Sequence, residues 1–244
     1  MKYHFITFGN EPWHKSVDQL CIEARELRVF DTVHGYKEWD LSEYQLDFSK
    51  RNPRGFGFWT WKSELCLKRL EQIDSGDVVL YADAGCIFNP AAKARLLEYA
   101  ILAQEHGIVG FQMTHIERIW TKRELLRYFQ CEHRQDILQS GQVEATAFIF
   151  CKNDHIERFM RSWNMIPKVN PVLVNDELTT AQFPEFREHR HDQSIFSLIM
   201  KLHGGKLLGW ETWCWSDNPN QDVGNPIWEK RRKITNPIQF DASL

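Results

Sequence analysis

Four short stretches concentrate residues whose types and spacing suit chemistry. The first is GDVVLYADAGC, where Asp83 follows the apolar run Val78–Ala82 and precedes an Ala-Gly turn. A hard divalent cation bound to a diphosphate takes one or two protein carboxylates and leaves its other positions to phosphate and water, so Asp83 suits such a site. Gly85 would let a ligand approach the backbone closely. The plainer reading has Asp83 accepting backbone N–H bonds in a strand-ending turn, and on this stretch alone the two readings balance.

The second stretch is RGFGFWTWK, Arg54–Lys62. Arg54 offers a bidentate phosphate clamp and Lys62 a point charge in the first turn of a helix, where backbone N–H groups also favour anions. The Gly-x-Gly is too short for a dinucleotide fingerprint, and a glycine-rich turn with solvated cations is the plainer reading. The third, HRHDQSIF, places His191 and Asp192 before an amphipathic helix, with Asp192 as an ordinary N-cap. A His-Asp metal phosphohydrolase is a rival here, but such domains are all-helical, and His189 and His191, two apart, fit poorly as joint ligands on a helix. The fourth, HIERIWTKREL, carries Glu117, Trp120 and Lys122 after a strand. A helix start with an exposed aromatic is the plainer reading of it.

The elements that position these stretches follow from hydrophobic periodicity. Strands are expected at Tyr3–Phe8, Arg28–Tyr36, Val78–Ala82, Gly107–Met113 and Val143–Phe150. Helices are expected at Ser16–Phe30, Trp61–Gln72, Ala91–Gln104, Thr121–Phe129, Asp154–Trp163 and Ser194–Leu202. Thr121 and Glu124 have the spacing of a capping box. Residues 45–54 read as polar and irregular, RNPRGFGF as a loop, and residues 164–190 as a polar, loop-rich segment. Strands alternating with helices imply an α/β chain with a mixed, mostly parallel sheet flanked by helices. In such a sheet ligands bind beyond the carboxyl ends of the strands, where Asp83 falls. The core is expected over residues 1–210, with 211–244 an irregular tail wrapping a single domain.

Bulk properties exclude several classes. With 43% hydrophobic and 26% charged residues the chain has a globular balance, and a net charge of −3 argues against a nucleic-acid partner. No stretch resembles a signal peptide or a membrane span. The six cysteines include no CxxC pair, which argues against zinc and a disulfide framework; a reducing cytoplasm is the expected location. Trp59 and Trp61 cannot share a helical face, so one of them is expected at the mouth of the helix. The basic run Lys230, Arg231, Arg232, Lys233 reads as a solvated surface or as a peripheral contact with anionic membrane.

Taken in order, RGFGFWTWK, GDVVLYADAGC, WTK and HRHDQS resemble the motifs of a family of small bacterial and viral glycosyltransferases. That family acts in capsule, O-antigen lipopolysaccharide or glycoprotein glycan assembly and has a GT-A-type fold. The resemblance covers about residues 1–210 and is specific in combination rather than motif by motif. It implies transfer of a sugar from a nucleotide-sugar donor to a saccharide or lipid-linked glycan acceptor. Phe8, Gly9 and Asn10 then match a nucleotide-base pocket, and Arg54, Trp59 and Lys62 a donor-side clamp. Asp83, with Ala84 and Gly85, matches the remnant of a DXD motif that binds a divalent cation (Mn2+ or Mg2+) and the donor. Trp120, Lys122 and His191 match the acceptor side. Asp192 then matches a late acidic residue beside the reacting centre and is expected to serve as catalytic base or orienting carboxylate, with Glu117 as the alternative base. Two departures stand out: Ser63 where the family has proline, and Gly85 where a full DXD has its second acid. His203, in KLHGGK, is similar to a C-terminal metal histidine of some GT-A enzymes. A degenerate, sugar-binding subunit is the alternative to an enzyme.

Overall fold

The computed structural model describes residues 1–213 and 224–235. Six strands form one sheet: β1 (Tyr3–Phe8), β2 (Thr32–Tyr36), β3 (Val78–Ala82), β5 (Ile108–Ile116), β6 (Gly141–Cys151) and β7 (Lys206–Leu208). Their order is β2-β1-β3-β6-β5-β7. Pairings β1·β2, β1·β3 and β5·β7 are parallel, whereas β6 runs antiparallel to both β3 and β5. A short β4 (Cys86–Phe88) pairs with β8 (Ile227–Glu229) in a separate two-stranded ribbon.

Helices α1 (His14–Glu26), α2 (Glu43–Arg51), α4 (Trp61–Leu70), α5 (Lys93–His106), α9 (Asp154–Val169) and α10 (Asp192–His203) are the longer ones. Shorter turns are α3 (Gly55–Phe58), α6 (Glu117–Trp120), α7 (Arg123–Tyr128) and α8 (Gln135–Leu138). Every residue of β1 and β3 is buried, because helices cover both faces of the sheet and each face builds its own core. Ile6, Phe8, Val79 and Tyr81 face the core shared with α4, α9 and α10. Tyr3, Phe5, Val78 and Leu80 face the one shared with α1 and α5.

The expected mixed, mostly parallel α/β architecture is what the structure has, and β1 and β3 keep their expected bounds. Several local readings change. Residues 45–54 are largely helical, since Ser42 caps α2 through the amide of Gln45 and Gln45, Phe48 and Ser49 turn one face inward. The capping box at Thr121 does not form. Lys122 is the N-cap of α7, Thr121 donates to Glu117 instead, and Glu124 accepts the amides of Thr179 and Thr180. Helix α9 continues to Val169 with Pro167 inside it. The tail, expected to be irregular, supplies β8. Cys214 lies outside the described residues; the other five cysteines are buried thiols.

Candidate active site

The RGFGFWTWK stretch is not a simple loop. Gly55, Phe56, Gly57, Phe58 and Trp59 all have positive φ, between 51° and 88°. Phe58 N donates to Arg54 O (2.8 Å) and Trp59 N to Gly55 O (3.1 Å), so the segment is one turn of left-handed helix. For L residues such a turn costs roughly 1–2 kcal/mol each at Phe56, Phe58 and Trp59. The glycines are required sterically as well. A Cβ on Gly55 would stand 2.4 Å from the Trp59 ring, and one on Gly57 2.7 Å from Ser49 Oγ. Backbone strain of this kind persists only where surrounding contacts fix it. Here Asn52 O takes the Gly57 amide at 2.8 Å, and His191 stacks on both Phe58 and Trp59, at 4.8 and 5.6 Å between ring centres. Trp61 is buried and Trp59 half-buried at the mouth of α4.

The turn delivers Lys62 to the carboxyl edge of the sheet. Its ammonium lies 3.2 Å from Asp83 Oδ1 and 3.6 Å from Asp192 Oδ2, and donates to the Ala145 carbonyl at 3.0 Å. Only 4% of Lys62 is exposed. Burial works against its charge, but the carboxylates of Asp192 and Asp83 outweigh that and raise its pKa. Asp83 Oδ1 also accepts the Tyr81 hydroxyl at 2.5 Å, and the Asp83 amide donates to Thr146 O. Three of the four stretches singled out in the sequence therefore meet: Lys62 from the second, Asp83 from the first and Asp192 from the third.

Asp192 opens α10 without capping it; the N-cap is His191, at φ +54°. The Asp192 carboxyl is buried and its Oδ2 has no hydrogen-bond partner. Burial pushes its pKa up to about 7, against the pull of Lys62 and with a further push from Asp83. Trp163 Nε1 fixes the Asp192 carbonyl at 3.1 Å.

Phe8 ends β1 beside this centre, and Gly9 and Asn10 follow it. Ile6 pairs with Tyr81 across parallel strands, so Phe8 and Asp83, each two residues further on, are level. Phe8 packs on Trp61 at 4.1 Å, and a Cβ on Gly9 would stand 2.6 Å from Trp13 Cβ. Ala84 is buried. Gly85 lies under a second chain segment: its Cβ would stand 2.9 Å from Arg231 Cα.

Trp120 is fixed from behind by its carbonyl, which accepts from Arg190 N (3.1 Å), Ser194 Oγ (3.0 Å) and Gln142 Nε2 (3.2 Å). Its half-buried ring carries the Arg190 guanidinium at 4.2 Å and meets His115 edge-on.

Other expected site residues have different surroundings. Glu117 is fully buried, accepting from Thr121, Ser197 (2.6 Å) and Gln142 (3.2 Å) and paired with Lys201 at 2.5 Å. It braces α6 against α10 and is no base for a solvent-borne hydroxyl. Lys122 is likewise buried, its ammonium spent on the carbonyls of Asn175 (2.8 Å) and Glu177 (3.1 Å), and burial lowers its pKa to about 8. It is a strut for the 170–180 loop rather than an acceptor contact. His191 is buried, with Nδ1 on the Val174 carbonyl at 2.7 Å, so it shapes the wall of the site from inside. Arg54 faces the opposite loop, paired with Asp176 at 3.0 Å and with Glu188. His203 is exposed at the far end of α10, about 17 Å along the helix from Asp192 at 1.5 Å per residue, and shares no site with Asp83. The His-Asp phosphohydrolase reading fails with the α/β fold, since such domains are all-helical.

The sequence reading missed two carboxylates. Glu144 on β6 is fully buried, taking Thr212 Oγ1 at 2.6 Å and Trp210 Nε1 at 3.2 Å, and burial raises its pKa well above the usual range. Glu229 on β8 is its electrostatic neighbour and is also raised, by burial first. A lone acid inside the apolar VEATAFIF was the available signal, since glutamate is almost never fully buried without a partner.

No protein-family model and no curated protein sequence matches the chain. Among solved structures, mouse xyloside xylosyltransferase 1 in its apo form matches 98% of this chain and 100% of its own, at a TM-score of 0.50 and 12% identity. A glycosyltransferase involved in glycosylation of the major capsid of PBCV-1 matches 93% of this chain and 92% of its own, at 0.49 and 10%. Mannose-6-phosphate isomerase from Helicobacter pylori matches 86% and 98%, at 0.42 and 12%. At these identities the likeness is one of fold, and the architecture is that of the GT-A-type transferases.

Proposed function

We propose that the protein transfers a hexose or deoxyhexose from a nucleotide-sugar donor to a saccharide or lipid-linked saccharide acceptor. In this reading it works at the cytoplasmic side of surface-glycan assembly, such as that of capsule or lipopolysaccharide. The observation that carries the reading is the buried Lys62 ammonium joining Asp83 to Asp192 at the carboxyl edge of a GT-A-type sheet. Open α/β sheets bind their ligands at that edge.

The donor lies across Phe8–Asn10 and the Asp83–Gly85 turn. Asp83 fits a divalent cation as its single protein ligand. Its side chain is 30% exposed, although Lys62 stands 3.2 Å from Oδ1 and 3.3 Å from Oδ2, and a cation on a diphosphate needs no more than one or two carboxylates. Among the described residues no group of three such ligands exists. A cation held by Asp83 would supply charge neutralisation for the leaving diphosphate. Asp192, with its pKa near 7, takes the acceptor hydroxyl proton, since a base is most effective when its pKa lies near the working pH. Lys62 holds that carboxylate in place and keeps the site charge balanced as the sugar acquires oxocarbenium character. Trp120, with Arg190 on its ring, forms the acceptor side.

A panel of UDP-, GDP-, dTDP- and CMP-sugars, with and without Mn2+, tests the reading by thermal shift and by donor hydrolysis. At least one should bind and turn over; silence across the panel would refute it. Asp83→Asn should abolish donor binding with the fold intact, and wild-type nucleotide affinity in that variant would remove Asp83 from the site.

A further inference from the structure

The chain returns to the Asp83 turn at its C-terminal end. From β8 it crosses the turn as a strap: Arg232 N donates to Gly85 O at 2.9 Å, and the Arg232 side chain pairs with Glu23 at 2.6 Å. Further on, Ile234 N donates to Ser16 Oγ at 3.0 Å and Thr235 O accepts from Lys15 at 2.7 Å. The strap therefore runs from the Asp83 turn to the start of α1, along the edge where β1 and β3 end.

Arg231 is the residue set directly on Gly85. The 2.9 Å approach of its Cα to a Cβ at that position explains why the second acid of a DXD pattern is missing here: any side chain at 85 would displace the strap. Arg231 has φ +50°, a conformation uncommon for a bulky residue and one that the anchored neighbours on either side impose. Its neighbours are committed, Arg232 to Glu23 and Lys233 to the Trp13 ring at 5.7 Å. The Arg231 side chain is exposed and forms no ion pair among the described residues. The Arg231 backbone lies against Gly85, two residues from Asp83, so the guanidinium is carried beside the same turn.

We propose that Arg231 is a phosphate-binding residue, gripping the diphosphate of the donor where it lies over the Asp83–Gly85 turn. The proposal rests on the glycosyltransferase reading and adds to it a side chain that contacts the diphosphate. A guanidinium matches two phosphate oxygens at once. It binds more strongly as the diphosphate leaves with increasing negative charge.

Calorimetric titration with UDP, GDP and dTDP, and with the parent nucleosides, tests it. Arg231→Gln should weaken the diphosphate that the wild type prefers roughly tenfold while leaving the nucleoside unchanged. Arg231→Lys should recover part of the loss. Gly85→Ala, which moves the strap but keeps the arginine, should weaken diphosphate binding similarly, with thermal unfolding confirming that all three variants fold. Equal diphosphate affinity in wild type and Arg231→Gln would overturn the proposal and leave the transferase reading standing. Tighter binding in Arg231→Gln would overturn it too, making the strap an obstruction. If the wild type bound none of the diphosphates, both readings would fall together.

Discussion

The Lys62 ammonium stands 3.6 Å from Asp192 Oδ2, and that oxygen has no hydrogen-bond partner. Asp83 sits on the lysine's other side at 3.2 Å. A cation this deeply buried is tolerated because its carboxylate partners and the Ala145 carbonyl replace lost hydration. Neither carboxylate is independent of the other, since both act on the same lysine.

Removing the lysine should therefore be expensive in a pH-dependent way. Lys62→Met is expected to lose roughly 3–5 kcal/mol at pH 8, the usual cost of breaking a buried ion pair. The loss should shrink at pH 5, where Asp192 carries its proton and needs no counter-charge. Urea denaturation at both pH values measures this, and equal losses would contradict the arrangement.

Asp192 itself should make stability fall as pH rises. Its folded pKa is about 7 and its ordinary value 3.8. Between those values the native state holds a proton that the unfolded chain has released. Stability attributable to Asp192 therefore declines across that window, at up to roughly 1.4 kcal/mol per pH unit, and is level above it. Glu144, also raised, slopes the same way; His189 and His191, both lowered, slope the opposite way. The difference between wild type and Asp192→Asn isolates the Asp192 contribution, and the variant's profile should be the flatter one. Transfer activity should rise through about pH 7 as the carboxylate forms.

Much of this was legible in the sequence, for identifiable reasons. β1 and β3 are buried on both faces, so β3 is an unbroken apolar run, β1 is interrupted only by the buried His4 and Thr7, and both have sharp ends. Asp83 stood out because it ends such a run. What escaped depended on tertiary contact. Gln45, Phe48 and Ser49 form an inward helical face only because the Gly55–Trp59 turn packs on them, and five residues of left-handed backbone have no pattern beyond two glycines. Glu117 and Lys122 looked available because a charged residue after a strand usually is. Their partners, Lys201 and the Asn175 and Glu177 carbonyls, lie more than fifty positions away.

Glu117→Gln separates bracing from catalysis. The substitution leaves the Lys201 ammonium, only 6% exposed, without its counter-charge, and should cost about 3 kcal/mol of stability. Nucleotide affinity per folded molecule should not change. A variant with wild-type stability and lost turnover would restore Glu117 to the chemistry.

The lysine at the centre also sets when the site comes into being. Its partners at Asp83 and Ala145 lie 21 and 83 residues along the chain, and Asp192 is more distant still. Contacts of such separation are closed late, after local helices and the β1·β3 pairing have formed, because long loops give up entropy before they gain energy. The polar centre is thus a product of completed folding and not a seed for it. A nascent chain has no means of engaging its ligand until α10 has been made and docked.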